Sequence, residues 1–150
     1  MDKAELYDDL ARQLAALIDG EPDRIANAAN MAALVYHGLP DVNWAGFYFA
    51  RGGELVLGPF QGRPACVRIP WGSGVCGTAA ARAASVVVPD VHEFPGHIAC
   101  DPDSAAELVV PLIEGGRVTG VLDLDSPVRG RFDEDDRVGC ERLVALFLGK

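Results

Sequence analysis

"LVVPLIEGGRVTGVLDLD", residues 108–125, is the stretch whose reading decides the fold. Two strand-like runs, LVVPLI and VTGVLDLD, flank the turn EGGR. Paired glycines between such runs signal a hairpin, because glycine accepts the positive φ of a tight turn. Pro111 has no N–H to give to a ladder, so it favours an edge or bulged position. Moving outward, "NWAGFYFA" and "ELVLGPF" are strand-like and are separated by the turn RGG. "RPACVRIP" reads as a third strand containing Cys66, and "SVVVPD" as a short one. Between them "WGSGVCGTAAARAA" is a glycine-rich loop leading into a short alanine helix, with Cys76 near its start. At the N-terminus Leu6, Leu10, Leu14, Leu17 and Ile18 share a helical face, and Gly20 with Pro22 stops that helix. A second helix runs from about Asp23 to His37 and is ended by Gly38 and Pro40. The last helix starts near Asp133, its N-cap, with Phe132 just outside and Cys140, Leu143, Val144, Leu146 and Phe147 on its apolar side. Two helices, several strands, a hairpin and a final helix predict an α+β fold with a central antiparallel sheet flanked by helices. No repeat or composition shift divides the chain, so residues 1–150 are expected to form a single domain.

The bulk numbers exclude several functions. The 150 residues carry 13 basic and 22 acidic side chains, a net charge of −9. With the basic residues scattered, nucleic acid and anionic membrane are not expected partners. The start, "MDKAELYDDLARQLAALI", is acidic where a secretion signal is basic. No run reaches the ~18 apolar residues of a membrane span. The expected location is cytoplasmic, where cysteines are more often catalytic, metal-binding or inert than structural cross-links.

The chemistry centres on "HIACDPDSAAELVVPL", residues 97–112. It belongs to an irregular connection from Val91 to Glu107 that also holds His92, long enough to suggest function. Cys100 sits there in a loop beside Asp101, Asp103 and Glu107, and is either an inert loop thiol or a nucleophile. Cys66 and Cys76 favour the second reading. Cys76 lies between glycines at a helix N-terminus, where backbone N–H groups and the helix dipole favour a thiolate. Three thiols in one half of the chain suggest a relay in which one is oxidised and another closes a disulfide on it. Zinc held by His92, His97 and these cysteines is the competing reading, but no C-x-x-C pair supports it. Cys140 reads as a packed core thiol.

Alternation places Asp123 and Asp125 on one face of their strand. Like charges at that spacing need either water or a cation, so the pair is a solvated strand end or an ammonium site. Glu107 opens the partner strand and, if partly buried, has a raised pKa and a proton to give. Trp44 and Tyr48 also share a face, as core residues or as a wall against a small apolar group.

Taken together, "NWAGFY", "LGPFQGRPACVRIP", "GSGVCGTA", "DVHEFPGHIACD", "AAELVVPL" and "GVLDLDSP" resemble the free methionine-(R)-sulfoxide reductases, a family built on a GAF domain. The match runs in register from about Asn43 to Phe132. The resemblance implies reduction of the free R epimer of methionine sulfoxide, with Cys100 as nucleophile and Cys66 as resolving thiol. It implies that Cys76 can form an alternative disulfide. Glu107, Asp123 and Asp125 would bind and activate the substrate, and Trp44 and Tyr48 would pack on its methylthio end. It further implies thioredoxin as reductant, a homodimer, and no cofactor or metal. The alternative is a GAF-type small-ligand or redox sensor without chemistry.

Overall fold

A computed structural model describes residues 1–98, 100 and 102–150. The hairpin forms as read. Strand β5 (Ala106–Glu114) and strand β6 (Arg117–Ser126) pair antiparallel from Ala106–Ser126 to Glu114–Arg117. Gly115 and Gly116 take φ of 57° and 78°, the two positive values that a two-residue primed turn requires.

The hairpin sits inside a six-stranded sheet in which every neighbouring pair is antiparallel. β1 (Trp44–Arg51) pairs with β6 on one side and with β2 (Glu54–Gly62) on the other. β3 (Arg68–Pro70) and β4 (Val86–Val88) are the edges, giving the order β3-β2-β1-β6-β5-β4. Because β4 covers only Glu107–Val109 of β5, Pro111 has no ladder partner on that side, and the register slips just beyond it at Leu112/Ile113. The proline therefore occupies a local edge beside a bulge, as its missing N–H requires.

Strand alternation divides the sheet into two faces of different character. One presents Phe47, Leu108, Leu112, Leu122 and Leu124 to three helices: α1 (Lys3–Ile18), α2 (Arg24–Gly38) and α4 (Glu134–Phe147). Leu10, Leu14, Met31, Val35, Leu143 and Phe147 close that layer. Full burial of each large side chain contributes about 1.5–3 kcal/mol. Leu17, in the last turn of α1, is exposed, while Tyr7, Leu10, Ala11 and Leu14 are buried and Leu6 and Ile18 pack against the core. Asp133 caps α4 in a capping box with Asp136, so the helix starts where its sequence signals it. Cys140 is a buried core thiol 3.7 Å from the Tyr7 hydroxyl, and burial pushes its pKa up to about 12.

The other face packs against α3 (Gly74–Arg82), whose Val75 and Ala79 meet Tyr48, Val109 and Val121. Here one expectation is corrected: "RPACVRIP" gives only Arg68–Pro70 to the sheet, and Cys66 lies in the connection before it. Pro64 has no N–H, and the Cys66 carbonyl accepts from the Tyr48 hydroxyl (3.0 Å) instead of from a neighbouring strand. Among the described residues no helix is long and apolar enough to cross a membrane.

Candidate active site

Register builds the floor of the site. Trp44 pairs with Asp125, Asp125 with Glu107, and Glu107 with Val88, a row of opposite residues across β1, β6, β5 and β4. The adjacent row sets Gly46 against Asp123 and Asp123 against Val109. Alternation thus brings Trp44, Tyr48, Glu107, Asp123 and Asp125 to the face opposite the three-helix layer. The first turn of α3 and the loops around Ala65 and Ile98 enclose the space above them. The resulting pocket, about 530 Å³ including its mouth, is lined by all five of these residues and by Cys76, His97, Cys100 and Ser104.

The aromatic wall is fixed on both sides. The Trp44 ring stacks between Tyr48 and Phe60, with centroids 6.0 and 5.2 Å away. Its indole N–H donates to the Arg63 carbonyl at 3.0 Å. A Cβ at Gly46 would lie 2.3 Å from Phe60 and 2.9 Å from the Trp44 ring, so only glycine lets the indole lie across β1. The Trp44 and Tyr48 hydrogen bonds both end on the segment carrying Cys66, which ties the wall to that segment.

Cys66 and Cys100 are joined as a disulfide with Cα atoms 5.6 Å apart, so the loops carrying them meet at the pocket, which Cys100 lines. Cys76 is free and buried in the first turn of α3, its Sγ 3.9 Å from Glu107 Oε2. The expected thiolate at this helix N-terminus is corrected. Burial, reinforced by Asp123 and Glu107, pushes the Cys76 pKa well above the ordinary thiol value. Desolvation and acidic neighbours here outweigh the favourable end of a nine-residue helix.

The carboxylates share that environment. Glu107 is 6% exposed, and burial, followed by repulsion from Asp125, raises its pKa to about 8. It is therefore largely protonated at neutral pH. Asp123, also 6% exposed, is pushed well above the carboxylate range by burial and then by Glu107. Its Oδ1 and the Ser104 hydroxyl are buried without a hydrogen-bond partner among the described residues. His97 Nε2 lies 3.6 Å from Glu107 Oε1, and burial lowers the His97 pKa. The contact is thus a neutral imidazole beside a carboxylic acid, not an ion pair.

Of the acids near Cys100 in the sequence, only Glu107 is shown in the pocket. Asp103 pairs with Arg63 at 2.8 Å on the surface, and Asp101 lies outside the described residues. His92 is exposed in a 3-10 turn (Val91–Glu93), away from the pocket lining, which disperses the zinc set that the sequence suggested. Ser104 and Ile98 line the pocket without having been singled out in the sequence. Both lie in the irregular connection, where no periodicity marks an inward-facing residue.

Fold and site together define a GAF-type domain with a joined cysteine pair at the rim of an acidic pocket. The GAF domain family model matches residues 21–147. The chain is 54% identical over 145 residues to the free methionine-R-sulfoxide reductase of Escherichia coli, covering 97% of this chain and 88% of that protein. It superposes with a TM-score of 0.95 on the Neisseria meningitidis free methionine-R-sulfoxide reductase in complex with its substrate, at 45% identity over 98% of this chain and 89% of that one. A Burkholderia vietnamiensis structure described as a candidate GAF sensor gives the same TM-score of 0.95 at 61% identity, covering 98% of this chain and 94% of that one. The chain belongs to the free methionine-R-sulfoxide reductase family of GAF-domain, thiol-dependent oxidoreductases.

Proposed function

We propose that this chain, acting as a single GAF-type domain over residues 1–150, reduces free L-methionine-(R)-sulfoxide to methionine in the cytoplasm. The observation that carries the reading is the Cys66–Cys100 pair at the rim of a pocket with a protonated glutamate and two aspartates in its floor. A sulfoxide sulfur is a poor electrophile until its oxygen takes a proton or a strong hydrogen bond. Glu107 supplies that proton, an effect worth roughly 10²–10⁴ in rate. The Cys100 thiolate attacks the sulfur; the protonated oxygen then passes from the methionine sulfur to Cys100 as the transient S–S bond breaks, so methionine leaves and Cys100 carries a sulfenic acid. Cys66 displaces that oxygen as water and closes the disulfide. Two thiols are oxidised for each sulfoxide reduced. Thioredoxin then returns the pair to the dithiol form, and the chain works as a homodimer.

Cys66 is favoured over Cys76 as the resolving thiol because it is the partner that Cys100 holds, while Cys76 is buried and kept protonated. The charge around Cys100 is also smaller than the sequence suggests, since Glu107 is largely neutral and Asp103 is paired with Arg63. That lightens the penalty on forming a thiolate.

Asp125, helped by Asp123, holds the substrate ammonium, and Trp44 and Tyr48 pack on the methylthio end. A peptide-linked methionine sulfoxide has no such cation, and a charged hydrogen bond left unmade costs ~1.5–3 kcal/mol. The test is a thiol count on the reduced protein. Methionine-(R)-sulfoxide should remove two thiols per chain, and the S epimer none. An unchanged count with the R epimer would leave a ligand-binding sensor as the function.

A further inference from the structure

Cys76, Glu107 and Asp123 form a cluster that the sulfoxide chemistry uses only in part. One ligand atom from each lies within 4.8 Å of the other two, and all three residues are buried. The Cys76 Sγ to Glu107 Oε2 separation of 3.9 Å is close to the ~3.6 Å edge set by zinc–sulfur and zinc–oxygen bonds around one tetrahedral ion. Asp123 adds the second observation: its Oδ1 is buried in the pocket without a partner among the described residues. A buried carboxylate oxygen in that state calls for a cation or a donor. His97 Nε2, 3.6 Å from Glu107 Oε1, stands where a fourth ligand would come from.

We propose that this chain binds one borderline divalent cation of the zinc class through Cys76, Glu107 and Asp123. A single thiolate combined with carboxylate and imidazole donors suits zinc better than magnesium or calcium, which take oxygen alone. Binding is not a redox step. The thiol and the protonated carboxyl groups release protons as the ion enters, and two positive charges replace them. This donor set differs from the one the sequence suggested. It leaves out His92, and it leaves out Cys66 and Cys100, so it is available while these two are joined. An ion held here occupies the floor where the substrate ammonium would sit, so zinc is an inhibitor that competes with the amino acid. That consequence rests on the proposed function, whereas the site itself does not.

Cobalt(II), which takes zinc sites and shows a sulfur-to-metal charge-transfer band, is the probe. It is titrated into metal-free protein with the Cys66–Cys100 disulfide intact. The expected result is one equivalent bound with that band, bleached by zinc. Cys76→Ser should lose the band and weaken zinc by at least about tenfold. Glu107→Gln should keep the band and weaken the ion, and Cys140→Ala should change neither. Three results would overturn the proposal: no band in the oxidised protein, a band undiminished in Cys76→Ser, or a band that appears only after the disulfide is reduced. The last would assign the ligands to Cys66 and Cys100. Loss of two thiols on sulfoxide addition is independent of each outcome.

Discussion

Asp136 and Asp123 are both buried aspartates, on opposite sides of one sheet, and their surroundings are opposite too. Asp136 is 0% exposed and surrounded by donors: the Tyr7 hydroxyl at 2.8 Å, the Lys3 ammonium at 2.7 Å, the Arg131 guanidinium at 3.3 Å and the Asp133 N–H at 3.0 Å. It pins α1 to the start of α4. Asp123 has Glu107 and Cys76 as neighbours and one oxygen without a partner among the described residues. The fold satisfies the first carboxylate completely, and it leaves the second with an oxygen open to the pocket, as the proposed substrate-binding role requires. The same division holds for sulfur. Cys140 packs among helices, whereas Cys76 and Cys100 line the pocket and Cys66 is bonded to Cys100.

Substitutions on the two faces should therefore separate activity from stability. The largest effect falls at the pocket rim: Cys100→Ser should abolish even a single turnover, read as methionine released per chain, with the melting temperature of the reduced protein unchanged. Single turnover surviving in this variant would move the nucleophile to another thiol. Next, Glu107→Gln should lower the rate of the chemical step by roughly 10²–10⁴. An unchanged single-turnover rate would remove Glu107 as the acid.

On the helical side, Asp136→Ala leaves the buried Arg131 guanidinium without its carboxylate and Lys3 with Asp133 alone, and should cost about 3–5 kcal/mol in chemical denaturation. Its chemical step should stay within a factor of about two of the parent, well under the tenfold that ~1.4 kcal/mol represents. Asp123→Asn is the mirror experiment. It replaces a buried acid that has one unsatisfied oxygen and lies against Glu107, so stability should hold or rise, while substrate affinity falls by about tenfold, the worth of a hydrogen bond to the substrate ammonium. If Asp123→Asn destabilised the protein as much as Asp136→Ala, the contrast between the two faces would collapse.

The smallest effect is in the pH profile of stability. The Glu107 pKa is about 8 in the fold against an ordinary 4.5, so the folded state holds the extra proton between those values. Its contribution is complete below about 4.5 and is lost as pH rises through about 8. The melting temperature should fall across that window, with Asp123, raised in the same way, adding to the decline, and Glu107→Gln should make it shallower. Glu114, held down to about 2 by Arg24, acts with the opposite sign and only below the window. A flat profile in the parent protein would mean that Glu107 is ionised throughout.

Much of this is legible in the sequence itself. Two glycines between apolar runs are enough to set the 108–125 hairpin, and alternation along β6 and β1 is enough to pair Asp123 with Asp125 and Trp44 with Tyr48 on common faces. These are local properties of period and turn chemistry, which the chain carries wherever it folds. Asp133 as the cap of α4 and Cys140 as a core thiol belong to the same group. The environment of each group was not local. Cys76 reads as an activated thiol from its helix position, and only the sheet packed beneath it, with Glu107 and Asp123 within reach, makes it a protonated one. Cys66 reads as a strand residue until the Tyr48 hydroxyl takes its carbonyl. Sequence alone determined which side chains share a face, because that follows from backbone period. Tertiary structure decided which of them are desolvated together, because dielectric and charge proximity depend on what arrives from elsewhere in the chain.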